Sequence, residues 1–473
     1  MVADSRMSYD RKSYLKPHLP TSMWPEVFSL KIGESHLVKS HKRQWKVTLI
    51  NYQEFWEADH WIADNPDQRT YSQARIEIEI SGGGWRNFFK QRATLILRPF
   101  QLPVVIDGLR IYVETTYQWA TQGIAVVKNM TGDVRFSALD ATENWGPPDL
   151  LFPLKNYRWR SCTYNNTWSA LVPYNLLYYH RGDDFGAIED RLDVIAVVNG
   201  TITESPVPTA QDSNTIEIQS SEGMRFRYAH INIETMNPHL TIGSQVQAGQ
   251  FLGKTGSTWQ SKHGADPHLH FGIWQADGSS ISSYPFLVDA YLRMYPDAIL
   301  PVAGGYYFTT PGCPLRLDGS RSIPRPDRAI ASSTWRLSNG TTAHGLQTTI
   351  RYHQPGCYAE ELIVRSDDGQ EDWDFAQVRV YNFEATPRQI GYGWLYHSPV
   401  RGIKPGDSVR FQPRLVNVQP PVTLDFGDGS PPQAIAAEVS YAYAKPGIYI
   451  VTLTTSGPAN DPVTLKMRVI VEP

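Results

Sequence analysis

The sequence predicts a mainly β, multidomain protein: an N-terminal β-sandwich or barrel, a central antiparallel-β domain and two C-terminal β-sandwiches. Three observations predict it. Aromatic residues make up 12% of the 473-residue chain, with 14 Trp and 25 Tyr, beside 35 Gly and 34 Pro. That mixture favours short strands joined by turns over long helices. Several short stretches alternate apolar and polar residues, the period of a strand with one solvated face. The last third of the chain matches itself at an offset of about ninety residues, the size of one two-sheet module.

The length suits about three or four domains. Hydrophobic residues at 41% against 19% charged residues describe a chain that builds buried cores. The 44 Lys and Arg against 47 Asp and Glu leave a net charge of −3, which removes the electrostatic case for nucleic-acid binding. No stretch approaches about 18 consecutive apolar residues, so no transmembrane helix is expected. Cys162, Cys313 and Cys357 are too few for a disulfide-dense scaffold or a four-cysteine zinc site.

Residues 1–20 are polar and basic and read as a tail without the apolar core of a secretion signal. Residues 21–165 form the first β-rich domain. WKVTLI (45–50), ARIEIEI (74–80), ATLILRPF (93–100) and LRIYVET (109–115) are its strands, punctuated by SGGGW (81–85) and PVVIDG (103–108). In ARIEIEI, Ile76, Ile78 and Ile80 share one face, and Glu77 and Glu79 the other. Trp56, Trp61 and Trp85 would form a sugar-stacking surface if exposed, but aromatic residues more often pack cores.

The chemistry concentrates in the central domain, residues 166–300. Four segments carry it: YYHRGDDFG (178–186), MRFRYAHI (224–231), GSQVQAGQFLGKTGST (243–258) and ADPHLHFGIW (265–274). HLHFGIW alternates, so His268 and His270 share one strand face while Leu269, Phe271 and Ile273 take the other. Residues two apart on a strand lie about 6.5–7 Å from one another, so both imidazoles can face one metal-containing pocket without both ligating. By the same parity, Phe226, Tyr228 and His230 share a face. His180 and Asp184 flank Gly182, and an imidazole nitrogen with a carboxylate oxygen from one short loop is ordinary zinc ligation. AGQFLGKT (248–255) imitates a phosphate-binding loop but has Ala248 where the first glycine is required. No G-x-S-x-G elbow occurs, and no cysteine has a nearby His to form a nucleophile pair.

The conjunction of H-x-G-x-D, Y-x-H, G-x-x-V-x-A-G-Q-x-x-G-x-x-G and H-x-H in this order resembles the lysostaphin-type (LytM-like) zinc endopeptidases that cut peptide cross-links of bacterial cell walls. The resemblance covers about a quarter of the chain. It implies Zn²⁺ as cofactor, with His180, Asp184 and His270 as ligands and His230 and His268 as the two remaining active-site histidines. It implies a peptidoglycan stem or cross-bridge as substrate. Tyr228, Asn214 and His263 are read as cleft-lining residues, with replacement of a ligand as the alternative for His263. Asp183, beside Asp184, is read as a supporting or solvated carboxylate, because the family's ligand stands fourth after the His. The segments ESPVPTAQDSN (204–214) and WQSKHGADP (259–267) replace shorter family loops, and Gly272 stands where Glu is common, so the sequence leaves the cleaved bond open. Two other readings remain: a zinc protease of Gly-rich protein, and an extracellular adhesive or scaffold protein with a degenerate peptidase domain.

In the C-terminal third, PGCPLRL (311–317) matches PGDSVRF (405–411), and YHQPGCY (352–358) matches YAKPGIY (443–449). Two immunoglobulin-like modules follow, at 301–384 and 385–473. DFGDGS with Y-x-x-P-G-x-Y and alternating VTLTT resembles the PKD-type repeat of extracellular proteins, more cleanly in the second copy. Asp425 and Asp428 read as an Asp-Gly turn in preference to a calcium site. Cys313 and Cys357 fall at the starts of two strands in opposite sheets, where a disulfide would close a loop of about forty residues. Against that pairing, Tyr358 has the parity expected to face the core. The ensemble reads as an exported, extracytoplasmic protein whose leader is absent from this chain.

Overall fold

The computed structural model describes residues 24–40, 43–58, 69–82, 89–122, 125–173, 177–207, 215–259, 262–382 and 390–473. It is mostly β-sheet, with an N-terminal β-sandwich, a central antiparallel sheet and two C-terminal sandwiches.

The N-terminal sandwich packs two four-stranded sheets face to face. One runs in the order Glu26–Leu30, Val134–Asp140, Leu109–Thr116, Val104–Ile106; the other Ser35–Lys39, Gln44–Ala58, Arg69–Gly82, Phe89–Leu97. Ile76, Ile78 and Ile80 are wholly buried against Val47, Leu95, Ile111 and Phe136. Glu79 sits on the opposite face, paired with Lys90 of the neighbouring strand. The predicted alternation of this strand is therefore realised. Leu109–Thr116 is buried at every position, because its outer face lies against the central domain. There Glu114 accepts a hydrogen bond from the Ser282 amide (2.7 Å), and the Trp168 indole donates to the Glu114 carbonyl (2.7 Å). Trp56 is exposed; Trp61 and Trp85 lie outside the described residues.

The central sheet runs Gln245–Val246, Gly200–Glu204, Thr215–Gln219, Arg225–Ala229, Lys262–Trp274, Asp183–Gly186, Asn165–Asn166. Gly256–Trp259 and Ser280–Ile281 also pair with the long strand Lys262–Trp274. All these pairings are antiparallel. One face, with Phe226, Tyr228, Leu269, Phe271 and Ile273, packs into a core that includes the helix Tyr284–Met294. The other face carries the histidines.

The two C-terminal modules are not separate beads. A nine-stranded sheet runs through both, joined where Gly356–Ser366 meets Pro462–Val471 at the parallel pair Cys357 and Val463. This union explains the cysteines. Both faces of Gly356–Ser366 are covered, so Cys357 is buried although Tyr358 has the expected core parity. Cys313 is exposed and Cys357 buried, both as free thiols, so the considered disulfide is absent. The Asp-Gly turn is built by its own carboxylates: Asp425 accepts from the Gly427 amide (2.8 Å), and Asp428 from the Ser430 amide (3.0 Å).

Arg468 ties the second module to Asp372 of the first module and to Trp159 and Arg160 in the segment that precedes the central domain. Its guanidinium is 2% exposed, pairs with Asp372 (2.9 Å), and donates to the carbonyls of Arg160 (2.9 Å) and Trp159 (3.0 Å). Arg468→Met would remove the cation facing Asp372, which keeps the Trp373 amide (2.8 Å), and the donor to both carbonyls, an expected loss of about 1–3 kcal/mol. Thermal unfolding checks this; a midpoint equal to the parent's would show that the contact is idle.

Candidate metal centre

Strand register assembles the site. In the antiparallel pair of Asp183–Gly186 with Lys262–Trp274, Asp184 lies opposite His270, and Asp183 opposite Phe271. Period-two alternation therefore sends Asp184 to the histidine face and Asp183 to the core side. Asp183 there accepts from the Thr167 hydroxyl (2.8 Å) and the Ser283 hydroxyl (2.5 Å), and burial pushes its carboxyl up to about 7. Neighbouring carboxylates thus do different work because they face opposite ways.

His180 Nε2, Asp184 Oδ1 and His270 Nδ1 converge. His180 Nε2 lies 3.0 Å from His270 Nδ1 and 3.1 Å from Asp184 Oδ1, and His270 Nδ1 is 2.9 Å from that same oxygen. These three residues form a metal-competent group among the described residues. His180 Nδ1 donates to the Gly182 carbonyl (2.9 Å), which fixes the tautomer and leaves Nε2 with its lone pair toward the centre. Asp184 and His180 are nearly inaccessible, whereas the His270 side chain is 21% exposed. Burial opposes the Asp184 charge, but His180 and His268 hold its carboxyl well below the usual range. Two imidazole nitrogens and one carboxylate oxygen aimed at one point suit zinc, with room for a fourth ligand on the open His270 side.

Gly182 is required by space. A Cβ there would stand 2.5 Å from the Phe271 carbonyl oxygen and 2.7 Å from His270 Cε1. Gly182→Ala is expected to displace the His270 ring and weaken zinc binding by about 10–100-fold, the usual range for a change in a metal site's support. Competition against a chromophoric chelator measures this, and wild-type affinity would refute the steric argument.

His230 reaches the site by a route that parity does not predict. The strand Arg225–Ala229 ends one residue earlier, and His230 takes φ +64°. That left-handed turn carries its imidazole to the histidine face, away from Tyr228. Its ring lies 4.4 Å from that of His268, and Nδ1 donates to the Thr258 carbonyl (2.8 Å). Burial, with His268 and His270 beside it, pushes His230 down to about 3. His268 donates Nδ1 to the Asp266 carbonyl (2.5 Å) and turns Nε2 toward Asp184 Oδ1, 3.6 Å away. With Nδ1–H committed to the Asp266 carbonyl, His268 carries the lone pair on the Nε2 that faces Asp184.

Tyr228, expected in the cleft, is instead a core residue. It is fully buried against Phe271, and its hydroxyl accepts from the Val197 amide (2.8 Å). Its strand position opposite Phe271 puts it on the apolar face. The His263 backbone pairs with Thr258 on the strand bordering the site, and Asn214 lies outside the described residues. Three neighbours escaped the sequence reading. Asn166 donates to Asp184 Oδ2 (3.4 Å), Tyr164 packs its ring 4.6 Å from that of His268, and Trp259, 56% exposed, stacks parallel to His230 at 5.7 Å. Asn166 comes from a strand that pairs with Asp184, so only the tertiary fold could have nominated it.

Residues 178–282 match the model of peptidase family M23. The chain carries an M23 peptidase domain. Residues 299–380, directly after the M23 domain, match the PKD domain, so the matched module is the less regular of the two copies. No curated protein matches the chain. Among solved structures, the lytM protein of Ruminococcus gnavus ATCC 29149 is similar at 25% identity and a TM-score of 0.23. That alignment covers 30% of this chain and 61% of that one, under two thirds of its length. The catalytic domain of the prophage-encoded M23 protein EnpA from Enterococcus faecalis aligns at 18% identity, over 25% of this chain and 85% of that one, with a TM-score of 0.20. A zinc-containing peptidase from Vibrio cholerae aligns at 13% identity over 52% and 78% of the two chains, with a TM-score of 0.24.

Proposed function

We propose that the protein is a zinc-dependent endopeptidase that hydrolyses peptide bonds in peptidoglycan stems or cross-bridges, working outside the cytoplasm. The observation that carries this reading is the convergence of His180 Nε2, Asp184 Oδ1 and His270 Nδ1 within 2.9–3.1 Å of one another on the open face of an M23 sheet. In this reading His180, Asp184 and His270 hold the metal, and His230 and His268 handle protons. The division of the chain near residues 20, 165, 300 and 384 belongs to the same proposal.

A bound zinc ion supplies Lewis-acid polarisation of a carbonyl and lowers the pKa of water toward about 7. The chain's own residues do the rest. Asp184 and His180, buried and tautomer-locked, keep the ligand geometry without rearrangement. His268 and His230 each have Nδ1–H committed to a backbone carbonyl, so Nε2 is the atom that accepts a proton from the attacking water. Once protonated, the same Nε2 becomes a donor to an oxygen gaining negative charge. Trp259, stacked on His230, shields one side of that imidazole from water.

No helix among the described residues is long and apolar enough to cross a membrane. The experiment is digestion of purified cell wall beside a Gly-rich polypeptide, each with and without a chelator. Release of new amino termini from cell wall alone, abolished by chelator and restored by zinc, is expected. Cleavage of the Gly-rich polypeptide only would reassign the substrate, and cleavage of neither would point to a scaffold.

A further inference from the structure

The C-terminal modules contribute a wall to a recess that abuts the metal centre. Tyr164, Asn166 and Asp266 line it from the peptidase side, and Tyr306, Arg379 and Trp394 from the modules. Its continuity with the site is direct. Asn166 is the donor to Asp184, the Asp266 carbonyl holds His268, and the Tyr164 ring lies 4.6 Å from His268 and 5.2 Å from Trp394.

Arg379 is the anomaly in this recess. It is 5% exposed, yet it forms no ion pair with any carboxylate among the described residues. Nε and Nη2 both donate to Gln377 Oε1, at 3.1 and 3.0 Å, and Tyr381 is its other hydrogen-bond partner. Aromatic rings surround the guanidinium: Tyr392 at 4.1 Å, Tyr306 at 5.4 Å, Trp394 at 5.6 Å and Phe308 at 6.0 Å. Cation–π contacts offset part of the cost of burying the charge, but a buried guanidinium ordinarily has an anionic partner. The carboxylate sharing the recess, Asp266, lies 3.9 Å from Arg414. Among the described residues the hydrogen-bond and ring partners of Arg379 are neutral, Asp266 attracts it without forming an ion pair, and the guanidinium edge not held by Gln377 suits a carboxylate.

We propose that this recess is a substrate subsite in which Arg379 binds a free carboxylate that the peptide carries beside the scissile bond. The inference rests on the peptidase reading above and gives the PKD module a part in substrate choice. It selects acidic over amidated peptides because a carboxylate neutralises the buried guanidinium, whereas an amide oxygen supplies an acceptor without the charge.

The test compares muropeptides prepared from sacculi with the same muropeptides amidated by carbodiimide and ammonia. The full chain should favour the free acids by about 10–100-fold in kcat/KM, mainly through KM. Arg379→Met, which preserves apolar bulk, should bring that ratio to about one. Arg379→Lys keeps the charge without the fork and should give an intermediate ratio, so it carries the test if the Met variant does not fold. A wild-type ratio near one, or a ratio unchanged in both variants, would overturn the subsite. Calorimetric binding of the same two peptides needs no turnover. If the free acid binds through Arg379 and neither peptide is cut, the peptidase reading fails and the subsite stands; equal binding of both peptides removes the subsite alone.

Discussion

Asp184→Ala is expected to abolish both zinc binding and peptide hydrolysis. Asp184 Oδ1 is the common target of His270 Nδ1 at 2.9 Å, His180 Nε2 at 3.1 Å and His268 Nε2 at 3.6 Å. Without that oxygen, a cation would face imidazoles alone in a buried site, with no charge to offset its desolvation. Asp183 provides the control on the neighbouring residue. It faces away from the metal centre and bonds Thr167 and Ser283. Asp183→Asn should therefore retain zinc, although some stability is lost. Metal analysis of the two purified variants decides the matter, and retention by the Asp184 variant with loss by the Asp183 variant would invert the register argument.

His268→Ala is expected to keep the zinc and the fold while kcat falls by roughly 10²–10⁴-fold, the range for removing a positioned proton acceptor or oxyanion donor. His268 lies two residues from His270 on the same face, but its Nε2 stands off the ligand triangle at 3.6 Å from Asp184. The carbonyl of Asp266 and the ring of Tyr164 hold the imidazole from behind. His230→Ala should behave alike, since its ring is 4.4 Å from His268 and its Nδ1 is held in the same manner. Steady-state kinetics on cell-wall peptides supply the measurement. An unchanged kcat in both variants would mean that neither histidine moves a proton in the reaction.

Much of this architecture could be read from alternation alone. The burial of Ile76, Ile78 and Ile80, and the sharing of one face by His268 and His270, follow from a period of two along single strands. Periodicity carries no information on where a strand stops. Tyr228 and His230 therefore looked like neighbours on one face until the left-handed turn at His230 separated them. Nor does it report which strands lie side by side. Asn166 and Tyr164 reach the site, and Arg379 reaches its border, from segments remote in sequence. The sheet shared by the two C-terminal modules was hidden for the same reason. It buries Cys357 at a position that a lone sandwich would have pointed outward.

Zinc content per chain, measured across single alanine variants of the four site histidines, tests the assignment of roles most directly. His180 and His270 belong to the ligand triangle, and His230 and His268 stand outside it. The expected pattern is one zinc in the parent, one in the His230 and His268 variants, and none in the His180 and His270 variants. Equal loss from all four would make the histidines a single ligand cluster and would contradict the separation of metal binding from proton transfer.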